Sequence, residues 1–123
     1  MSIDVLIVDD SVAVRKILLR VLAQAEIRVG RVFEAGDGVQ ALAALKDNKV
    51  DLILSDINMP NMDGLQFLSH VRAQEQWKSV PFLMITTEGS MTKVSEAVEL
   101  GASGYVRKPF TAEQIRDKLS ALI

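Results

Sequence analysis

The sequence predicts an α/β domain, a five-stranded parallel sheet with helices on both faces. Three observations lead there. Short apolar runs alternate five times with segments of helical periodicity, the signature of repeated β–α units and of strands covered on both sides. The length, 123 residues, suits one domain with a single core. Three helical segments open on the spacing of a capping box, Asp37 with Gln40, Asp63 with Gln66 and Thr111 with Gln114.

In order, Ile3-Asp4-Val5-Leu6-Ile7-Val8 reads as a buried first strand. Val14, Ile17, Leu18, Val21, Leu22 and Ala25 then recur at i, i+3, i+4, i+7, i+8 and i+11, one face of a helix. Arg31–Ala35 is the second strand, followed by a helix with Val39, Leu42 and Ala43 inward. Asp51–Ser55 is the third strand, and Leu65, Leu68 and Val71 mark the third helix. Pro81–Thr86 is the fourth strand. Val94, Ala97 and Val98 mark the fourth helix, which Gly101 ends. Gly104–Arg107 is the last strand, and Ile115, Leu119 and Leu122 line the last helix. Phe110 and Ile115 stand where a hydrophobic staple would join them. No linker, repeat or low-complexity segment divides residues 1–123, so a single domain is expected.

Composition narrows the function classes. Apolar residues are 49% and charged residues 24%, a globular balance. No apolar run approaches the ~20 residues of a membrane helix. Met1-Ser2-Ile3-Asp4 carries no basic stretch or cleavage pattern, so no secretory signal and a cytoplasmic location are expected. Cysteine is absent, which excludes disulfides and thiolate metal sites. The formal charge of −2 argues against general nucleic-acid binding.

In open α/β sheets, ligands bind beyond the carboxyl ends of the strands. There this chain places Asp9-Asp10 after the first strand, Ser55-Asp56 at the end of the third, Thr86-Thr87 at the end of the fourth and Lys108-Pro109 after the fifth. Three converging carboxylates repel one another, which a fold tolerates when a cation is meant to sit among them. With no Cys or His in these loops the cation is hard and oxygen-seeking. Mg²⁺ fits best, because it takes one or two carboxylates, waters and a phosphate oxygen. A carboxylate can attack phosphorus and hold it as an acyl phosphate. Such transfer needs mainly alignment and charge neutralisation, which Mg²⁺, Lys108 and the Thr86 hydroxyl could supply.

At this point the chain resembles the response-regulator receivers of two-component systems. The likeness runs from the first strand to the last helix. It rests on Val8-Asp9-Asp10-Ser11, on the stretch Ser55-Asp56-Ile57-Asn58-Met59-Pro60-Asn61-Met62-Asp63-Gly64, on Thr86, and on Gly101-Ala102-Ser103-Gly104-Tyr105-Val106-Arg107-Lys108-Pro109-Phe110. The resemblance implies a three-layer (βα)₅ fold with strand order 2-1-3-4-5, of which this family is a standard instance. It implies that Asp56 is the phosphoacceptor. Asp10 and Asp56 would bind Mg²⁺ directly, Asn58 through its backbone carbonyl and Asp9 through water. Lys108 would contact the phosphoryl group, Thr86 and Tyr105 would form a switch pair, and Lys108-Pro109 would be cis. The motifs are most similar to those of chemotaxis-type receivers. Asn58 and Glu88 stand at two positions that tune phosphoryl lifetime in the family, which implies a short-lived phosphoryl state. Thr87, Ile57 and the segment Gly89-Ser90-Met91-Thr92-Lys93 depart from the chemotaxis pattern and leave the partner and pathway open, chemotaxis included.

The resemblance also implies partners: a histidine kinase as phosphodonor, a protein target on the face of the fourth helix, last strand and last helix (with Tyr105, Arg107 and Lys118), and a phosphatase. It implies no direct contact with nucleic acid or membrane, and a monomer or weak dimer. The chain would then be a switch that catalyses only its own phosphorylation and dephosphorylation. An alternative is the receiver portion of a longer regulator with a DNA-binding or enzymatic output. More remote is an Asp-nucleophile phosphohydrolase of the haloacid-dehalogenase kind, whose D-x-D-x-T contrasts with Asp56-Ile57-Asn58-Met59-Pro60 here. A flavodoxin-like carrier would need a phosphate-cradling loop where Asp9-Asp10 would repel phosphate.

Each residue also has a plainer reading. Asp9-Asp10 could be helix caps beside Ser11, and Asp63 is read as a cap. Thr86 alone is an ordinary strand-end residue, and Tyr105 alone a half-buried aromatic. His70 reads as a solvated helix residue and Trp77 as a packing residue after the third helix. The methionines read as filler.

Overall fold

The structure, a computed structural model, describes residues 2–87 and 91–122. Its elements are β1 (Ile3–Val8), α1 (Val12–Gln24), β2 (Val29–Ala35), α2 (Gly38–Asp47), β3 (Leu52–Ser55), α3 (Gly64–Ala73), β4 (Phe82–Thr86), α4 (Met91–Glu99), β5 (Gly104–Arg107) and α5 (Ala112–Ser120). The strands form one parallel sheet in the order β2-β1-β3-β4-β5. The fold class and strand order expected from the sequence are those observed.

Strand boundaries differ slightly. β2 begins at Val29, two residues before the expected start, because Gly30 adds an extra residue to the ladder. Ile3 pairs with Val29 but Val5 with Val32, and the Asp4 carboxylate accepts from the Arg31 N–H at 2.8 Å across this bulge. Asp51 and Pro81 fall just outside β3 and β4.

Alternation along the strands divides the core into two layers. Leu6, Val8, Ile53, Phe82 and Met84 face α2, α3 and α4, where Leu45, Leu68, Val71 and Ala97 meet them. Val5, Ile7, Leu52, Leu54, Leu83, Ile85 and Val106 face α1 and α5, meeting Leu18, Val21, Leu22, Ile115 and Leu119. Residues 5–8 of β1 and all of β3 and β4 are buried, covered on both sides, which is why they read as largely apolar runs.

Three helix faces differ from expectation. In α1 the stripe from Leu18 through Ala25 is buried, but Ile17 is 45% exposed, one helical step of about 100° away from Leu18. In α2 the inward residues are Gly38, Ala41 and Leu45, whereas Val39 is 53% exposed and Ala43 is also exposed. The reason is close approach: a Cβ on Gly38 would come within 2.6 Å of Met62 Cγ, so this helix turns its glycine inward. In α4 only Ala97 is fully buried and Val98 is 60% exposed, one helical step of about 100° away from it.

The helix ends carry the expected chemistry. Asp63 with Gln66 and Thr111 with Gln114 form complete capping boxes. Asp37 caps α2, but Gln40 Oε1 accepts from the Gly36 N–H at 2.8 Å instead of closing the box. Phe110 packs on the layer that contains Ile115. Gly101, at φ 102°, ends α4 with bonds from its own N–H to the Val98 carbonyl and from the Ala102 N–H to the Ala97 carbonyl, a Schellman motif. Among the described residues no helix is long and apolar enough to cross a membrane.

Candidate functional site

The carboxyl ends of β1, β3, β4 and β5 meet at one rim. Backbone bonds extend the ladder beyond the strands: Asp9 N–H to the Ala35 carbonyl at 3.0 Å, Asp56 N–H to the Val8 carbonyl at 2.9 Å, and Lys108 N–H to the Thr86 carbonyl at 2.8 Å. These bonds fix the backbones of Asp9, Asp56 and Lys108 independently of their side-chain contacts. The Lys108-Pro109 bond is cis, as the resemblance implied.

Asp9, Asp10 and Asp56 converge, each offering an oxygen within 4.8 Å of the others. Asp9 and Asp56 are buried and Asp10 is exposed. Lys108 Nζ lies between the buried pair, 2.8 Å from Asp9 Oδ2 and 3.3 Å from Asp56 Oδ2. The second oxygen of each accepts a backbone N–H, Asp9 Oδ1 from Ser11 at 2.9 Å and Asp56 Oδ1 from Ile57 at 2.7 Å. Burial opposes the charge on Lys108, but the Asp9 hydrogen bond and the charges of Asp56 and Asp9 outweigh it, so its pKa lies above the ordinary lysine value. The ammonium is therefore firmly charged.

Thr86 is fully buried at the end of β4. Tyr105 on β5 pairs with Met84 on β4, is half-buried, and packs on the same layer as Met84. Strand alternation puts Thr86 and Tyr105 on one side of the sheet. Asn58 is exposed in the loop after β3. Glu88, Gly89 and Ser90 lie outside the described residues. The plainer readings hold for several residues. Asp63 caps α3, His70 is exposed and Trp77 is half-buried against the core; the plainer reading of Asp9 and Asp10 as caps fails, since Ser11 caps α1.

Two residues of this region escaped sequence reasoning. Arg15 donates to the Asp9 carbonyl at 2.6 Å and pairs with Glu34 at 3.0 Å, bracing the turn that carries Asp9 and Asp10. Nothing in its helical position signals that contact. Asn61 donates to Asp37 at 2.7 Å; Asp37 was legible only as a cap.

A buried carboxylate pair bridged by a lysine, with a third carboxylate open to solvent, can accept a hard cation and an incoming anion side by side. The model of the response regulator receiver domain matches residues 5–120. Chemotaxis protein CheY-3 of Vibrio cholerae is 38% identical over 121 residues, 98% of this chain and 92% of that protein. The structure of CheY4 of Vibrio cholerae aligns over 100% of both chains with a TM-score of 0.88 at 39% identity. That of the Borrelia burgdorferi CheY in a CheX-CheY-BeF3-Mg complex aligns with a TM-score of 0.87 at 28% identity, over 96% of this chain and 87% of that one. The chain belongs to the response regulator receiver family. Within that family it is a CheY-like receiver of two-component signalling. Receivers generally bind Mg²⁺, and the donor set fits that ion: three carboxylates on one rim, no cysteine in the chain, and the histidine far off on α3.

Proposed function

We infer that the chain is a phosphoacceptor switch, one receiver unit over residues 1–123, which takes a phosphoryl group from a histidine kinase onto Asp56. The observation that supports this most is the Lys108 ammonium bridging Asp9 and Asp56, with Asp10 beside them. Asp10, Asp56 and the Asn58 carbonyl would hold Mg²⁺, with Asp9 acting through water. When bound, the ion would offset the charge gathering on carboxylates and phosphoryl oxygens.

The residues of the chain do the rest. An Asp56 carboxylate oxygen forms a bond to phosphorus as the donor's bond to phosphorus breaks. Lys108, already charged and within 3.3 Å of that carboxylate, transfers its hydrogen bonds to a phosphoryl oxygen. The Thr86 hydroxyl donates to another. The Ile57 N–H holds the acceptor's side chain in line. The phosphoryl group carries about −1.5 to −2 where the carboxylate carried −1, and its acceptor oxygens draw Thr86 toward the site; Tyr105 follows into the space behind it. The altered face of α4, β5 and α5, where Arg107 and Lys118 are exposed, meets the target protein. A phosphatase completes the set of partners, and Asn58 with Glu88 keeps the acyl phosphate short-lived. The reaction is the chain's own phosphorylation and dephosphorylation, without turnover of a separate substrate.

Labelling with a small phosphodonor in Mg²⁺ tests this directly. Wild type should label stoichiometrically and Asp56→Asn should not; equal labelling of the two would refute the assignment.

A further inference from the structure

Asp37 stands outside the acidic cluster and takes no part in the transfer just described. It is only 5% exposed. A helix cap needs one oxygen, and Asp37 Oδ1 serves in that way, accepting from the Gln40 N–H at 2.8 Å. Its other oxygen, Oδ2, accepts from Asn61 Nδ2 at 2.7 Å. The Gln40 and Asn61 bonds together outweigh the cost of burial and hold its pKa below the ordinary carboxylate value. The carboxylate is thus charged and uses both oxygens.

Asn61 lies three residues past Asn58, in the loop from β3 to α3. It has φ 65°, a left-handed conformation that Asn tolerates. A second tie runs to the same place, from the Gly38 N–H to the Met62 carbonyl at 3.1 Å. The other bonds of this loop are internal, Gly64 N–H to the Ile57 carbonyl at 2.7 Å and Met62 N–H to the Pro60 carbonyl at 2.6 Å. Among the described residues, the hydrogen bonds tying residues 58–62 to another element both end at the start of α2. Met59 and Met62 of this loop also pack on the core, but its hydrogen bonds to another element run to Asp37 and Gly38.

We propose that Asp37 is a positioning residue for the cation site: through Asn61 it holds the loop so that the Asn58 carbonyl faces the carboxylates. This rests on the reading that Asn58 donates that carbonyl to Mg²⁺. Outer partners of a metal ligand orient it, and a bond that holds the path of this short loop narrows the directions open to its carbonyls.

Two variants separate positioning from capping. Asp37→Ser keeps a competent cap but has one short oxygen, which cannot serve both Gln40 and Asn61. Asn61→Gly keeps the left-handed backbone and removes the amide. Mg²⁺ affinity is measured by calorimetry on the whole, unphosphorylated protein, with thermal unfolding of the metal-free forms alongside. Each variant should bind Mg²⁺ about tenfold more weakly, the lower end of what outer partners of metal ligands contribute. The double variant should be no worse than either single one, because both break one link. Affinities within about twofold of wild type, or losses that add in the double variant, would overturn the proposal. Wild type that takes up no Mg²⁺ would overturn the site reading together with it. Wild type that binds alongside variants that bind equally well overturns the positioning role alone.

Discussion

Lys108 is the residue that lets two buried carboxylates coexist at the rim. It is 2.8 Å from one and 3.3 Å from the other, and its raised pKa records the attraction. Lys108→Met removes the charge and keeps much of the stem. It should cost about 1–3 kcal/mol at neutral pH without Mg²⁺, by leaving the pair uncompensated; denaturant unfolding in EDTA measures it. The folded pKa is above the unfolded one. The ammonium's contribution is therefore complete below the ordinary lysine value of about 10.4, and it is lost as pH climbs through the folded value. The gap between wild type and variant should close only in that alkaline range; a gap that persisted there would assign the loss to packing. Asp10 is the opposite case, an exposed carboxylate beside two others that already share a lysine. Asp10→Asn should raise the metal-free melting temperature by roughly 3 °C and shrink the stabilisation that Mg²⁺ confers. A lower metal-free melting temperature would count against repulsion in the cluster. The type and place of these residues were legible in the sequence, since strand ends converge in any such sheet. The bridging by Lys108 across Asp9 and Asp56 was not, because it depends on side-chain directions set by neighbouring strands.

Among the elements, the start of α3 bears most directly on the site. Gly64 is buried with its N–H on the Ile57 carbonyl, and a Cβ there would fall on the Asp56 carbonyl oxygen. The obstacle is backbone, so no side-chain rotation relieves it. Gly64→Ala should destabilise by about 1–3 kcal/mol, as overpacking does, and should cut phosphodonor labelling of the fraction that remains folded. Unimpaired labelling at full stability would show that the loop has slack. The same closeness explains why α2 was misread. Its inward residues, Gly38, Ala41 and Leu45, include the glycine where a side chain would meet Met62, while the larger Val39 points to solvent. Periodicity weighs residues by size and apolarity, and a helix that packs through a glycine defeats it. β1, β3, β4 and α3 were legible because they are covered by large apolar side chains.

Over the whole molecule, the proposed switch would carry a change at the site to the surface through the sheet. Thr86 and Tyr105 sit on adjacent strands on one face, the arrangement that the proposed relay requires. Tyr105 is the single tyrosine of the chain, and a fluorotyrosine label reports on it alone. Phosphorylation should move that resonance in wild type. In Thr86→Ala labelling of Asp56 should persist while the shift falls by more than half; a shift of full size would remove Thr86 from the relay. By itself the sequence determined the five β–α units, the carboxyl-edge cluster of Asp9, Asp10, Asp56 and Lys108, and the capped starts of α3 and α5, because each is written in local periodicity or short motifs. Only the tertiary structure decided which oxygen Lys108 holds, which face of α2 turns inward, and that Asp37 reaches Asn61. Those depend on how separate elements pack against one another, and a distance between elements has no local signature in the chain.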